Sequence, residues 1–181
     1  MSVELSPIIA GVMNWGVWDK NLNTNEFTHL INLFIENGIT TFDHADIYGG
    51  YTTEASFGKA LSGSKIDRKK IQLITKCGIQ YISENRPNNS IKHYEYSKDY
   101  IIWSAENSLK NLQTDYLDVF LLHRPSPLMQ ADEIAEAVSK LKADGKILSF
   151  GVSNFTSSQT ELLRQKTEIS FNQVQFSATH H

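Results

Sequence analysis

Four side chains that can bind or release a proton stand at or just after the ends of three successive apolar segments. They are a carboxylate, a phenol, an ammonium and an imidazole, carried by Asp43, Tyr48, Lys76 and His123. In proteins built of alternating strands and helices, functional residues lie at the carboxyl ends of the strands and in the loops that follow them. These four side chains are therefore expected to lie close together, and the set suits a reaction that delivers a proton to a substrate.

Three further polar residues occupy equivalent positions. Ser153 and Asn154 follow the fifth apolar segment, and Gln173 lies within the sixth. Taken singly, each of the seven residues has a simpler structural interpretation. A carboxylate or hydroxyl at a strand end can cap a turn or a helix, a tyrosine can pack with its hydroxyl exposed, and a lysine can be a solvated charge. Their joint position at successive strand ends favours a functional site.

The segments that would carry these residues alternate between strand and helix patterns. The intervals between the strands contain apolar residues at helical spacing, such as Phe27, Ile31 and Phe34 in the first. Strict alternation of this kind predicts a parallel sheet with helices outside it, either an open doubly wound sheet or a barrel. The predicted strands are residues 8–13, 40–44, 71–76, 117–123, 147–152 and 169–177.

Local signals predict the ends of the helices. Gly38 stands where a left-handed residue would end the first helix. Residues 83–96, rich in Asn, Pro and Ser, predict a long polar loop that does not pack as an element. Candidate amino-terminal caps are Thr24 or Asn25 for the first helix, Thr53 for the second, Ser97 for the third, and Ser158 with Glu161 as a capping box for the last.

Composition is that of an ordinary globular domain. The 181 residues are 40% hydrophobic and carry a net charge of −3, which gives no general attraction for nucleic acid or an anionic membrane. The sequence predicts one domain over residues 1–181, small-molecule partners and no partner protein. A single cysteine, Cys77, together with the lack of a leader or a long apolar span, favours a cytoplasmic location.

Five ordered motifs together resemble the aldo-keto reductases. They are residues 38–49 (GITTFDHADIYG) with Glu54 and Gly58 beyond, 74–76 (ITK), 121–125 (LLHRP), 151–155 (GVSNF) and 171–174 (FNQV). The resemblance covers essentially the whole chain. It implies a (βα)8 TIM barrel, of which this chain supplies about six strands, so the domain is expected to be incomplete at its carboxyl end.

The same resemblance implies a reductase that converts aldehydes or ketones to alcohols. By position, Asp43, Tyr48, Lys76 and His123 match the family's catalytic tetrad. The cofactor implied is NADPH by family habit, with NADH left open, and the substrate is a small-molecule carbonyl compound. The residues that match those holding the nicotinamide carboxamide are Ser153, Asn154 and Gln173.

The chemistry of the four side chains suits that reaction. Hydride addition to a carbonyl leaves an alkoxide, which needs a proton donor. A free tyrosine has a pKa of about 10, and we expect the ammonium of Lys76 to lower the pKa of Tyr48 while Asp43 holds the ammonium by ion pairing. His123 would orient the substrate carbonyl by a hydrogen bond.

Several alternatives remain open from the sequence. The chain could be a non-catalytic nucleotide-binding regulatory module, like the potassium-channel β subunits that resemble this family, or an inactive fragment of a reductase. A Schiff-base lyase using Lys76 would leave Tyr48 without a purpose. No metal site is predicted, because no second ligand pair accompanies Asp43 and its neighbours.

Three other residues receive structural predictions. Trp15 either lines the substrate mouth or packs in its loop, and Trp103 is predicted to pack between helices. Cys77 should point toward the helix layer as a core residue, since it follows Lys76 on a strand.

Overall fold

The computed structural model describes residues 3–177 and 179 and alternates strands with helices. The strands are β1 (Ile9–Gly11), β2 (Thr41–Asp43), β3 (Gln72–Cys77), β4 (Ile79–Gln80), β5 (His93–Tyr94), β6 (Leu117–Leu122), β7 (Ile147–Ser153) and β8 (Phe171–Gln173). The helices are α1 (Thr24–Glu36), α2 (Tyr48–Tyr51), α3 (Thr53–Ser62), α4 (Lys98–Leu112), α5 (Ala131–Ala143) and α6 (Ser157–Arg164). A short 3-10 helix spans Arg68–Lys70.

Six of the strands form one parallel sheet in the order β1-β2-β3-β6-β7-β8. This order follows the chain without a reversal, whereas a doubly wound sheet reverses its strand order at a switch point. Between the two predicted architectures the sheet is therefore that of a barrel, and the described residues supply six of the strands of a (βα)8 fold. Every residue of β6 is buried, as expected for a parallel strand covered on both faces.

The main core lies between the sheet and the helices. Phe42 of β2, Phe57 of α3 and Phe120 of β6 are fully buried there, and Cys77 joins the same cluster as predicted. A smaller cluster on the opposite face of the sheet contains Ile74, Val119 and Leu121.

Helices α3 and α4 approach most closely at Gly58. A Cβ atom on Gly58 would lie 2.7 Å from the carbonyl carbon and 2.8 Å from the Cα of Leu112, and it would also overlap the carbonyl oxygen of Asn111. Real Cβ atoms do not approach backbone atoms this closely, so the two helices pack at this distance because residue 58 has no side chain.

The first helix ends as predicted but begins elsewhere. Gly38 is left-handed, with φ of 76°, directly after the C-cap residue Asn37. The N-cap is Asn23 rather than Thr24 or Asn25, because Asn23 forms a reciprocal capping box with Glu26.

Two other cap predictions are wrong and one is right only in position. The capping box of α6 is Thr156 with Gln159, not Ser158 with Glu161. Thr53 lies inside α3 and is fully buried, and Thr52 stands at the N-cap without a side-chain hydrogen bond. Ser97 is the N-cap of α4, also without a side-chain cap.

Residues 83–96 pack more than predicted. Strands β4 and β5 pair antiparallel, joining Ile79 to Tyr94 and Gln80 to His93. Tyr96 at the end of the segment is only 5% exposed. These contacts join residues distant in sequence, so local composition does not reveal them.

The two tryptophans with structural predictions have different outcomes. Trp15 is buried against Phe27, Phe34, Phe42 and Phe57, so it packs in the core rather than lining a mouth. Trp103 lies on the outer part of α4 and is 42% exposed, so the prediction of helix packing is wrong.

Among residues 3–177 and 179, the helices are too short or too polar to cross a membrane.

Candidate active site

The ammonium of Lys76 lies at the centre of the site. Its Nζ donates to both carboxylate oxygens of Asp43 at 2.7 Å and to the carbonyl oxygen of His44 at 2.8 Å. The same nitrogen lies 3.4 Å from the Tyr48 hydroxyl oxygen. Strand geometry produces this meeting, because Asp43 pairs with Ile74 in the β2–β3 register and Lys76 follows two residues later on the same face.

Lys76 is held in a place where a lone charge would be unfavourable. It is 2% exposed. Burial lowers the pKa of Lys76, while the carboxylate of Asp43 opposes that shift. The Asp43 carboxylate and the His44 carbonyl accept hydrogen bonds from the ammonium. Because these contacts replace the lost hydration, the buried charge is tolerated.

The phenol of Tyr48 differs from the expectation. Burial and the negative charge of Asp43 raise the pKa of Tyr48 well above its ordinary value, whereas the sequence led us to expect Lys76 to lower it. Burial is the larger cause of the shift, and the carboxylate of Asp43, which is paired with Lys76, adds to it. The hydroxyl therefore keeps its proton over the physiological pH range.

His123 lies across from Tyr48. The two rings are 6.2 Å apart between centroids and nearly perpendicular, at 79°. Burial, with the charges of Lys76 and Arg124, lowers the pKa of His123 to about 3, so its imidazole is neutral. Its Nδ1 is buried and meets no hydrogen-bond partner within the part of the chain that the structure describes.

Ser153, Asn154 and Gln173 come together on the adjacent strands β7 and β8. The backbone nitrogen of Asn154 donates to the Gln173 carbonyl at 2.8 Å. The Asn154 side-chain nitrogen donates to the Ser153 hydroxyl oxygen at 2.8 Å and to the His123 carbonyl at 3.4 Å. Asn154 has φ of 62°, a left-handed conformation that asparagine tolerates better than most residues. Ser153 pairs with Gln173 in the β7–β8 register, so the three residues lie together as a polar group next to the His123 backbone. Thr156 rather than any of them caps the next helix.

This polar group has the chemistry to recognise a carboxamide. An amide ligand offers one acceptor oxygen and two donor hydrogens, and the hydroxyl of Ser153 and the amides of Asn154 and Gln173 supply both kinds of partner. The amide oxygen of Asn154 remains available because its hydrogen bonds use the nitrogen.

Two aromatic residues beside Tyr48 were missed by the sequence interpretation. Trp18 lies 6.2 Å from Tyr48 and 6.2 Å from Tyr81 between ring centroids, and it is 46% exposed. Both stand in loops after strand ends, Trp18 after β1 and Tyr81 after β4. Their position in loops after strands was the available signal. In the first of these loops we considered Trp15, which is a core residue, instead of Trp18.

A second layer of buried titratable groups lies behind the site. His44 packs its ring against Phe57 at 4.4 Å, and burial and the charge of Lys76 lower its pKa to about 3. Burial and the charge of Glu54 raise the pKa of Asp46 to about 8. The Thr75 hydroxyl donates to Glu54 at 2.6 Å.

Among the residues that the structure describes, no group of three or more His, Cys, Asp or Glu side chains could hold a metal ion.

Known proteins resemble this chain over nearly its whole length. Residues 7–181 match the aldo/keto reductase family. The uncharacterised oxidoreductase YcsN of Bacillus subtilis is 46% identical over 178 residues, which is 97% of this chain and 59% of YcsN. The oxidoreductase YdhF of Escherichia coli is 44% identical over 179 residues, which is 98% of this chain and 59% of YdhF.

Solved structures give the same result for the fold. A glycerol dehydrogenase of Gluconobacter oxydans superposes with a TM-score of 0.81 at 27% identity, covering 94% of this chain and 51% of that protein. The chain thus spans about 59% of the length of the two curated relatives.

Proposed function

The chain belongs to the aldo/keto reductase family, and we propose that it reduces aldehydes or ketones to alcohols with a nicotinamide dinucleotide, NADPH in preference to NADH. One observation supports this above the others: a buried ammonium that contacts a carboxylate at 2.7 Å and a phenol at 3.4 Å. This arrangement suits the delivery of one proton to a substrate oxygen. The preference for NADPH rests on the habit of the family alone.

Tyr48 is the proposed proton donor. Its raised pKa keeps the hydroxyl protonated until it is needed, and an alkoxide is a stronger base than a phenolate, so the transfer remains favourable. The phenolate that results lies beside the ammonium of Lys76, which stabilises it by a charge-assisted hydrogen bond.

Lys76 and Asp43 have supporting roles in this proposal. Asp43 keeps Lys76 charged and in place against the penalty of burial. Lys76 directs one N–H toward the Tyr48 oxygen, which orients the phenol so that its own hydrogen is free to face the substrate.

His123 is the proposed second donor to the substrate oxygen. Because its pKa is lowered to about 3, it is a neutral imidazole that can donate from one ring nitrogen without carrying a charge. A fixed donor of this kind stabilises negative charge as it develops on the oxygen.

The polar group formed by Ser153, Asn154 and Gln173 is the proposed contact for the cofactor carboxamide. A nicotinamide dinucleotide, when bound, supplies the hydride, which no side chain can provide. These residues would hold the nicotinamide carboxamide next to His123, since Asn154 contacts the His123 backbone.

Tyr48→Phe tests the proposal. We expect carbonyl reduction by the 181-residue chain, followed as the loss of NADPH absorbance, to fall by a factor of about 10² to 10⁴, the usual contribution of a general acid. Dinucleotide affinity, followed by fluorescence titration, should stay the same, because only a hydroxyl is removed. The matched control is Tyr116→Phe, which should behave as the parent. Tyr116 directly precedes β6, at the end of that strand away from His123.

Two results would contradict the proposal. One is an unaltered chain that binds no dinucleotide and reduces no carbonyl compound. The other is a Tyr48→Phe variant that loses dinucleotide affinity as much as it loses turnover, since the residue would then be acting as part of the binding surface.

A further inference from the structure

Arg86 lies between two aromatic rings. Its guanidinium carbon is 4.6 Å from the ring centroid of Tyr51 and 4.3 Å from that of Trp103. The residue is half-buried, and within the described part of the chain its guanidinium contacts these rings without a side-chain hydrogen bond or salt bridge. Simultaneous contact with two rings suits the planar, delocalised guanidinium better than the compact ammonium of a lysine.

One of the two rings belongs to α2 (Tyr48–Tyr51), which is a left-handed turn rather than a regular helix. Gly49, Gly50 and Tyr51 follow Tyr48 directly and all have left-handed backbones, with φ of 60°, 68° and 71°. A left-handed conformation is ordinary for glycine but unfavourable for a tyrosine. Tyr51 therefore needs contacts that hold it there, and the turn that it completes starts at the proposed proton donor.

Those contacts come from the segment that carries Arg86. The Tyr51 ring stacks on Tyr81 at 5.1 Å and 16°, and the Tyr51 hydroxyl accepts from the Tyr81 backbone nitrogen at 3.2 Å. The carbonyl of Gly50 accepts from the Asn85 side chain at 2.8 Å and from the Ser83 hydroxyl at 3.3 Å. Residues 81–86 are thus attached to the turn along their length.

The same segment forms part of the mouth of the site. Tyr81 lies 6.2 Å from Trp18, which itself lies 6.2 Å from Tyr48. A series of ring contacts therefore runs from Trp18 through Tyr81 and Tyr51 to Arg86, and it ends on α4 at Trp103.

We propose that Arg86 is a positioning residue: held between Tyr51 and Trp103, it fastens residues 81–86 to the turn after Tyr48 and so sets Tyr81 and Trp18 as an aromatic wall beside the substrate. This inference rests on the proposed function. We expect the wall to bind carbonyl compounds that have a ring or an extended apolar group. Loss of Arg86 should therefore have little effect on the reduction of the smallest aldehydes.

A different role for Arg86 would be purely electrostatic. Burial and Glu54 raise the pKa of Asp46, and the charge of Arg86 acts in the opposite direction. If charge were the whole contribution, Arg86→Lys would preserve it. If stacking matters, Arg86→Lys should resemble Arg86→Ala, because a lysine cannot contact both rings with a flat face.

Steady-state kinetics of the 181-residue chain with NADPH separate the two roles. For Arg86→Ala and Arg86→Lys we expect KM for benzaldehyde to rise about tenfold, the magnitude of two lost ring contacts. The KM and the kcat for propanal should each change by less than about twofold, because propanal is too small to need the wall. Arg164→Ala, an exposed arginine on α6, is the matched control and should behave as the parent.

Hydrogen–deuterium exchange gives a readout that needs no turnover. Residues 47–53 and 81–89 should exchange faster in both Arg86 variants than in the parent, while Arg164→Ala leaves them unchanged. Should the parent reduce neither aldehyde, the proposed function fails, and faster exchange in both segments would still establish the fastening by Arg86.

Three outcomes would overturn the inference. The first is an Arg86→Lys variant that matches the parent in KM and in exchange, which would leave charge alone as the role. The second is an equal fall of kcat for both aldehydes, which would indicate a general loss of structure. The third is unchanged exchange in both segments.

Discussion

Replacing Asp43 by asparagine is expected to leave the ammonium of Lys76 inside the protein without its counter-charge. The carboxylate contacts Nζ at 2.7 Å through each of its oxygens, and Lys76 is only 2% exposed. Removing one partner of a buried ion pair costs about 3–5 kcal/mol. We expect the free energy of unfolding of Asp43→Asn to fall by that amount.

The cost should depend on pH in a defined direction. Burial already lowers the pKa of Lys76, and loss of Asp43 removes the main effect that opposes it. Between that lowered pKa and the ordinary lysine pKa of about 10.4, the unfolded chain then binds more protons than the folded one, so the free energy of unfolding rises with pH across that interval. Asp43→Asn should therefore be less impaired at about pH 9 than at about pH 6.

Urea denaturation followed by circular dichroism measures these quantities. Lys76→Met in the Asp43→Asn background removes the unpaired charge and should restore stability, which gives a coupling energy of about 0.5–3 kcal/mol. A loss below about 1 kcal/mol for Asp43→Asn, a cost equal at both pH values, or a double variant that shows the sum of the single losses would refute the reasoning.

Three further predictions concern residues behind the site. Burial and the charge of Glu54 raise the pKa of Asp46 from 3.8 to about 8. The stability that the protonated Asp46 contributes is therefore fully present below pH 3.8 and is lost as pH rises through about 8, so Asp46→Asn should have a higher Tm than the parent at about pH 9. The pKa of His44 is lowered from 6.5 to about 3, so the parent loses stability as pH falls through that interval, and acid titration of His44→Phe should show a smaller loss. Gly58→Ala places a Cβ 2.8 Å from the Leu112 Cα and should lower the free energy of unfolding by about 1–3 kcal/mol in urea; an unchanged urea midpoint would contradict the described packing of α3 on α4.

The sequence predicts the order of strands and helices well because the signals are local and repeated. All six predicted strands of the sheet are present, each within its predicted range or ending one residue beyond it. The meeting of Asp43, Tyr48 and Lys76 was also predictable, since parallel strands bring their carboxyl ends to one edge.

What the sequence did not reveal depends on contacts between distant residues. The predicted direction of the Tyr48 pKa shift was wrong because burial, and after it the charge of Asp43, raise that pKa. Tyr81 was missed because its place beside Trp18 depends on the antiparallel pairing of β4 with β5. Neither property is a feature of a short stretch of sequence.

The pairing of β2 with β3 sets Asp43 opposite Ile74, two positions before Lys76. If β3 slid by a single residue, Lys76 would turn to the helix side of the sheet, and its charge would be left among Phe42, Phe57 and their apolar neighbours. Such an arrangement would be disfavoured by several kcal/mol. The ion pair between Asp43 and Lys76 thus favours the native register of β2 and β3 over a register shifted by one residue.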